Sequence, residues 1–86
     1  MKLELARKLL RLNPGEHPVE VCDIRTMRSI DIYAVPQGTD NPQDAVKYRR
    51  VAYWSQDKDY GEWIFTDGEP TGITERDIVT YIGIAR

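Results

Sequence analysis

The stretch from Ala45 to Thr66 constrains the fold more than any other part of this 86-residue chain. It contains both tryptophans, three of the five tyrosines and the only phenylalanine. Each aromatic side chain buries a large area, so a chain this short must build its core around them. An alternating run VKYRRVAYW is followed by a polar loop SQDKDYGE and a second apolar run WIFT. This order predicts a β-hairpin at the centre of the fold.

The first strand of the hairpin is expected to have two different faces, because successive side chains of a strand point in opposite directions. One face is predicted to carry Val46, Tyr48, Arg50, Ala52 and Trp54, and the other Lys47, Arg49, Val51 and Tyr53. Basic residues therefore fall at the start of the strand and aromatic residues at its end.

Residues 2–12 predict a helix, because Leu5, Leu9 and Leu12 recur at i, i+4 and i+7. Three more apolar residues widen this stripe: Leu3, Ala6 and Leu10. Residues 13–15, Asn-Pro-Gly, are expected to end it, since proline restricts its predecessor and Asn or Gly suits a left-handed cap. The Leu-rich stripe needs a sheet to cover, so we expect this helix to pack on one.

Two more strands are predicted over 19–25 and 29–35, where both rows of side chains are partly apolar. A long loop, PQGTDNPQD, separates them from the hairpin. After a turn at DGEPTG, residues 74–77 resemble a helical capping box, and the β-branched run that follows favours a fifth strand over 78–84. The expected architecture is one α+β domain spanning residues 1–86: an N-terminal helix packed on a four- to five-stranded antiparallel sheet.

Composition excludes several classes of protein. No apolar run approaches the ~20 residues that span a bilayer, and the N-terminus lacks the features of a signal peptide. A single cysteine, Cys22, cannot form an internal disulfide and fits a reducing compartment. We therefore expect a cytoplasmic protein.

Acidic residues dominate the second part of the chain. Residues 1–50 carry nine Lys and Arg against seven Asp and Glu, whereas residues 51–86 carry three against seven. Such a charge suits a basic protein partner better than duplex DNA, whose binding depends on neutralising phosphates. The leading hypothesis is a non-enzymatic accessory protein that binds another protein, as a monomer or a homodimer. The predicted protein-binding residues are Asp57, Asp59, Tyr60, Glu62, Asp67 and Glu69, with Glu75 and Asp77 as further acidic candidates.

The alternative hypothesis is a module that binds single-stranded nucleic acid. Single-strand binders combine aromatic side chains, which stack on bases, with cations that follow the backbone. The residues predicted to do this are Lys47, Arg49, Arg50 and Tyr53.

Motifs for catalysis, metals and cofactors are not found in the sequence. Residues 57–62 resemble the start of a calcium loop, but its glycine falls at position 5 rather than 6, and Gly68 stands where the loop needs Glu. One histidine and one cysteine cannot supply a zinc site. His17, expected in an exposed loop, has no predicted catalytic partner. We expect no enzyme activity, no metal and no cofactor.

Two segments carry a resemblance to small proteins encoded by phages and plasmids. The opening ARKLLRLNPGEHPVEVCDIR resembles proteins in which a Leu-rich helix leads through a Pro-containing turn into a PVxV strand. The later AYW, GEWIF and ITERDIVTYI segments are similar in layout to a phage-type family with a Trp-bearing hairpin before a short terminal strand. That family usually ends in a His-Trp pair, where this chain has Thr80-Tyr81. Both groups are largely of unknown function, so the resemblance implies a virus or mobile element as the source and says nothing about chemistry.

Overall fold

A computed structural model describes residues 3–23, 30–39, 41–57, 60–75 and 81–85. The elements are α1 (Leu3–Leu9), β1 (Glu16–Asp23), β2 (Ile30–Pro36), α2 (Pro42–Ala45), β3 (Arg49–Asp57), β4 (Tyr60–Phe65) and β5 (Tyr81–Ala85). The strands lie side by side in the order β4-β3-β2-β1-β5. Strands β1 to β4 pair antiparallel, and α1 contacts β1. The predicted α+β architecture is confirmed.

The fifth strand is present, but β5 runs parallel to β1. Strand β4 lies at one edge of the sheet and β5 at the other, so the chain crosses the whole sheet between them. The β-branched run over residues 78–84 favours a strand but does not encode which strand it pairs with or in which direction. The helical turn predicted over 74–77 lies partly outside the described residues.

Helix α1 is shorter than predicted, and only part of its predicted apolar stripe is buried. Ala6 and Leu10 are buried, and Leu9 and Leu12 pack partly buried against the same cluster as Leu10. Leu3 and Leu5 are exposed. The stripe is therefore narrower than predicted and follows i, i+3 and i+4 counted from Ala6.

A Schellman motif ends α1 before the predicted Asn-Pro-Gly stop. The N–H of Leu12 donates to the Arg7 carbonyl at 3.0 Å, and the N–H of Arg11 donates to the Lys8 carbonyl at 3.2 Å. Arg11 is the left-handed residue, with φ of 58°. A side chain in this conformation costs ~1 kcal/mol that glycine would not cost. The prediction of a left-handed cap at residues 13–15 was wrong, because Arg11 is the left-handed residue that ends the helix.

The sheet carries a hydrophobic cluster on each face. One face packs Leu10 of α1 with Ile32, Ala34, Val51, Ala52, Trp63, Phe65 and Ile73. The other packs Val19, Val21 and Val35 against Ala45 of α2. The two rows of β2 thus enter opposite cores, as its two apolar rows predicted.

A β-bulge interrupts the alternation predicted for β3. Ile32 pairs with Ala52 and Tyr33 with Arg50, so Val51 has no partner of its own in β2. Val51 and Ala52 are both buried in the same cluster because a bulge places two consecutive residues against one. The prediction that they occupy opposite faces was wrong.

The short helix α2 replaces part of the predicted loop and delays the start of β3. The side chain of Asn41 accepts the N–H of Gln43 at 2.9 Å, and its carbonyl accepts the N–H of Ala45 at 3.0 Å. Asparagine at the N-cap followed by proline is a favourable helix start. Val46 and Tyr48, predicted within the strand, therefore lie in the turn after α2. None of the helices in the described ranges is long and apolar enough to cross a membrane.

The Trp-bearing hairpin is confirmed, and both of its strands extend into the predicted loop. β3 continues to Asp57 and β4 begins at Tyr60, so most of the expected loop SQDKDYGE belongs to the strands. Trp54 pairs with Trp63 across the hairpin, with ring centroids 5.3 Å apart and planes at 69°. This edge-to-face arrangement is a favoured geometry for aromatic rings.

Residues 66–75, here called the return segment, fold back along the outer edge of β4. The N–H of Trp63 donates to the Ile73 carbonyl at 2.9 Å, and the N–H of Thr71 donates to the Trp63 carbonyl at 3.0 Å. The indole Nε1 of Trp63 donates to the Glu75 carbonyl at 2.8 Å. Trp63 is fully buried as a result. At Trp63, this edge of the sheet is occupied and cannot pair with a second copy.

We predict that Gly61→Ala destabilises the fold by about 1–3 kcal/mol, the usual cost of overpacking. A Cβ at Gly61 would overlap the Trp54 ring, and the backbone of Gly61 does not need a positive φ. Urea unfolding of Gly61→Ala measures the loss. The same substitution in a Trp54→Leu background is the control, because there the overlap is removed. An equal cost in both backgrounds would contradict the steric explanation.

Candidate functional site

Asp67 and Glu69 lie at the first turn of the return segment, and both are exposed. Three hydrogen bonds hold this turn. The N–H of Gly68 donates to the Phe65 carbonyl at 2.8 Å, and the N–H of Phe65 donates to the Glu69 carbonyl at 2.8 Å. The N–H of Glu69 donates to Oδ1 of Asp67 at 2.9 Å. The turn thus presents two carboxylates to solvent on a backbone of fixed shape. We call Asp67 and Glu69, with the turn that carries them, the acidic turn.

Two other acidic candidates have structural partners. Glu62 lies half-buried on β4. Its Oε2 accepts the N–H of Gly72 at 3.3 Å and so ties the strand to the return segment. The Glu75 carbonyl receives the Trp63 indole, while its side chain is exposed. These contacts favour a role for Glu62 in holding the acidic turn in place.

The remaining predicted protein-binding residues fall where side chains are not described. Asp57 and Tyr60 end and begin the hairpin strands, which brings their backbones opposite each other. Asp59 and Asp77 lie outside the described residues. Of the six residues predicted for protein binding, the structure brings two, Asp67 and Glu69, together at one exposed turn.

The basic residues predicted for nucleic-acid binding are largely engaged within the chain. Arg49 Nη2 lies 2.7 Å from Oε1 of Glu16. Arg50 Nε donates to Oδ1 of Asp31 at 3.0 Å, and Arg50 Nη2 lies 2.9 Å from the same oxygen. Adjacent positions of a strand point to opposite faces, so these two guanidinium groups do not form one patch.

Tyr53 and Lys47 also differ from the predicted stacking surface. Tyr53 is half-buried beneath Arg50, whose guanidinium carbon lies 5.4 Å from the ring centre. Lys47 is exposed and lies 3.4 Å from Asp44, one turn back in the chain. The exposed aromatic residue beside this segment is Tyr48, at 47% exposure. A base could therefore stack on Tyr48 more readily than on Tyr53.

Arg11 and Phe65 form a contact that the sequence analysis did not anticipate. The Arg11 guanidinium lies 4.5 Å above the centre of the Phe65 ring, a cation–π geometry. The sequence analysis did not place them together, because the contact depends on how α1 docks on the sheet. The one sequence signal for this contact is an arginine at the position where glycine usually ends a helix.

His17 lies in β1 and not in the exposed loop that the sequence predicted. It pairs with Val35 and is half-buried, and within the described residues its Nδ1 has no hydrogen-bond partner. Burial, and secondarily the positive charge of Arg7, lower the pKa of His17 below 6.5. The side chain is therefore neutral at pH 7. No group of three His, Cys, Asp or Glu side chains in the described residues could hold a metal ion.

No family model matches this chain, and no match was found among curated proteins or solved structures.

We predict that the fold loses stability as the pH falls below 6.5. The unfolded chain binds a proton at His17 more readily than the folded chain, so protonation favours unfolding. The loss ends once the pH is below the folded pKa. Urea unfolding between pH 5 and 7.5 measures the slope, and His17→Gln should flatten it.

The pKa itself can be read by NMR, because His17 is the only histidine. Arg7→Gln should raise it only part of the way to 6.5, since burial is the larger cause of the shift. Lys8→Gln is the control for a lost charge at the neighbouring position. A folded-state pKa at or above 6.5 would contradict the burial of His17.

Proposed function

We propose that this chain is a small non-enzymatic protein that binds a basic surface of another protein through its acidic turn. The single observation that carries the proposal is the position of Asp67 and Glu69, exposed on a turn closed by three hydrogen bonds. A binding group held in place before association loses less conformational freedom when the complex forms.

The distribution of charge along the chain supports the same proposal. Residues 51–86, which include the acidic turn, carry an excess of four negative charges, whereas residues 1–50 carry an excess of two positive ones. Arg49 pairs with Glu16 of β1 and Arg50 with Asp31 of β2. The exposed acidic turn presents negative charge to a basic partner, and complementary charge speeds association.

The resemblance to phage- and plasmid-encoded proteins extends the proposal. A protein of that origin could inhibit a host factor in the cytoplasm by occupying a basic groove that otherwise holds nucleic acid. Asp67 and Glu69 would then stand in for phosphate groups. Source, location and inhibition are all parts of the proposal.

The test compares capture of partners by the native chain with capture by an Asp67→Asn, Glu69→Gln variant. Asparagine keeps the oxygen that accepts the Glu69 N–H, so the variant loses charge without losing the turn. We expect the affinity for a captured partner to fall about tenfold or more, and to fall for the native chain as salt rises. Calorimetry with the purified partner measures both.

Glu4→Gln is the matched control, because it removes a carboxylate from exposed α1, away from the acidic turn. It should leave the affinity unchanged. A partner that binds the double variant as tightly as the native chain would refute the role of the acidic turn.

A second candidate, binding of single-stranded nucleic acid, is favoured by one observation: Tyr48 is exposed beside Lys47, Arg49 and Arg50. If this function holds, labelled oligonucleotides bind at low salt and dissociate at high salt. Tyr48→Ala should weaken binding by about tenfold, the usual loss for one stacked base. Tyr53→Ala, which changes a half-buried ring, is the comparison. Absence of binding at low salt would refute this candidate.

A further inference from the structure

A cleft of about 230 Å³ lies where the end of α1 meets β3 and the start of the return segment. Its apolar wall is Leu10, Val51 and Phe65, and its polar border includes Arg11, Arg49 and Asp67. We propose that this cleft binds a small ligand through a phosphate group held between the guanidinium groups of Arg11 and Arg49. The proposal does not rest on protein binding by the acidic turn, although Asp67 belongs to both sites.

Arg11 offers guanidinium N–H donors that the described residues leave without an acceptor. Within the described residues its guanidinium makes no hydrogen bond and no ion pair, and its recorded contact is with the Phe65 ring. That contact fixes the plane of the group without using its N–H donors. A planar guanidinium presents five donors in a fork that matches phosphate oxygens. The Schellman motif holds Arg11 at a positive φ and so fixes its backbone where α1 meets the cleft.

Arg49 can add to the same ligand. Its Nη2 donates to Glu16, and the side chain is half-exposed, so the ion pair contributes little to stability. Among the described residues, Nε and Nη1 of Arg49 have no hydrogen-bond partner. Arg50 also borders the cleft, but its guanidinium is bound to Asp31. Of the arginines that line the cleft, Arg11 and Arg49 are therefore the two that we assign to the ligand.

The volume and charge of the cleft limit which ligands it can bind. Sites for drug-sized molecules enclose roughly 300–1,000 Å³, so this cleft suits a phosphate with at most a small adjoining group. The Asp67 carboxylate opposes an anion, although its Oδ1 is engaged by the Glu69 N–H. Removing the charge of Asp67 should therefore have opposite effects on the two sites. It should strengthen phosphate binding in the cleft and weaken any binding by the acidic turn.

The experiment is an NMR titration of the full chain with inorganic phosphate, a nucleoside monophosphate and the matching nucleoside. We expect millimolar binding of phosphate, with shifts at Arg11, Arg49 and Phe65. Arg11→Asn, which suits the positive φ, should weaken it about tenfold, the worth of one charged hydrogen bond. Asp67→Asn should tighten it several-fold. Lys8→Gln, which removes an exposed cation from α1, should change it less than twofold.

The three ligands separate the sources of the phosphate. Tighter binding of the monophosphate than of inorganic phosphate identifies a nucleotide-like ligand, and equal binding identifies free phosphate. The proposal is overturned if neither shifts the cleft residues, if the nucleoside alone binds as well, or if Lys8→Gln weakens binding as much as Arg11→Asn. Binding of a long oligonucleotide without either small phosphate would also overturn it and favour the second candidate above.

Discussion

The burial of Trp63 is the interaction on which the rest of the structure depends. Its ring meets Trp54 edge-to-face, shares a core with Leu10 of α1, and donates its indole N–H to the Glu75 carbonyl. A buried indole needs such a partner, since an unsatisfied donor would cost ~1–3 kcal/mol. One residue therefore joins the hairpin, the helix and the return segment. The return segment in turn covers the edge of β4 and sets where the acidic turn emerges.

The two proposed sites meet at Asp67. Its Oδ1 closes the acidic turn by accepting the Glu69 N–H, and the same residue borders the cleft near Arg11. A partner that neutralises this carboxylate would remove a repulsion from the cleft, so occupancy of one site would favour occupancy of the other. Thermodynamic linkage makes that effect reciprocal. The proposed coupling needs no long path through the protein, because Asp67 belongs to both proposed sites.

The strands of the core could be predicted from the sequence, but their irregularities could not. Both rows of the strand over 29–35 were predicted to be partly apolar, and Ile32 and Val35 indeed lie in different cores. The bulge at Val51 escaped prediction because Val-Ala fits an alternating strand or a bulge equally well. The start of α2 at Asn41-Pro42 carried a local signal that a loop-like composition concealed. The acidic turn was predicted in part, because carboxylates beside glycine and proline indicate an exposed turn.

The sequence by itself determined the helical period of α1, the Trp-bearing hairpin and the excess of negative charge after residue 50. These depend on the order of neighbouring residues, which a local pattern records. The tertiary structure alone decided that β5 lies parallel to β1, that the return segment covers β4, and that Arg11 faces Phe65. Each of these joins residues far apart in the chain. Their energy comes from the packing of whole elements, and no short stretch of sequence contains that information.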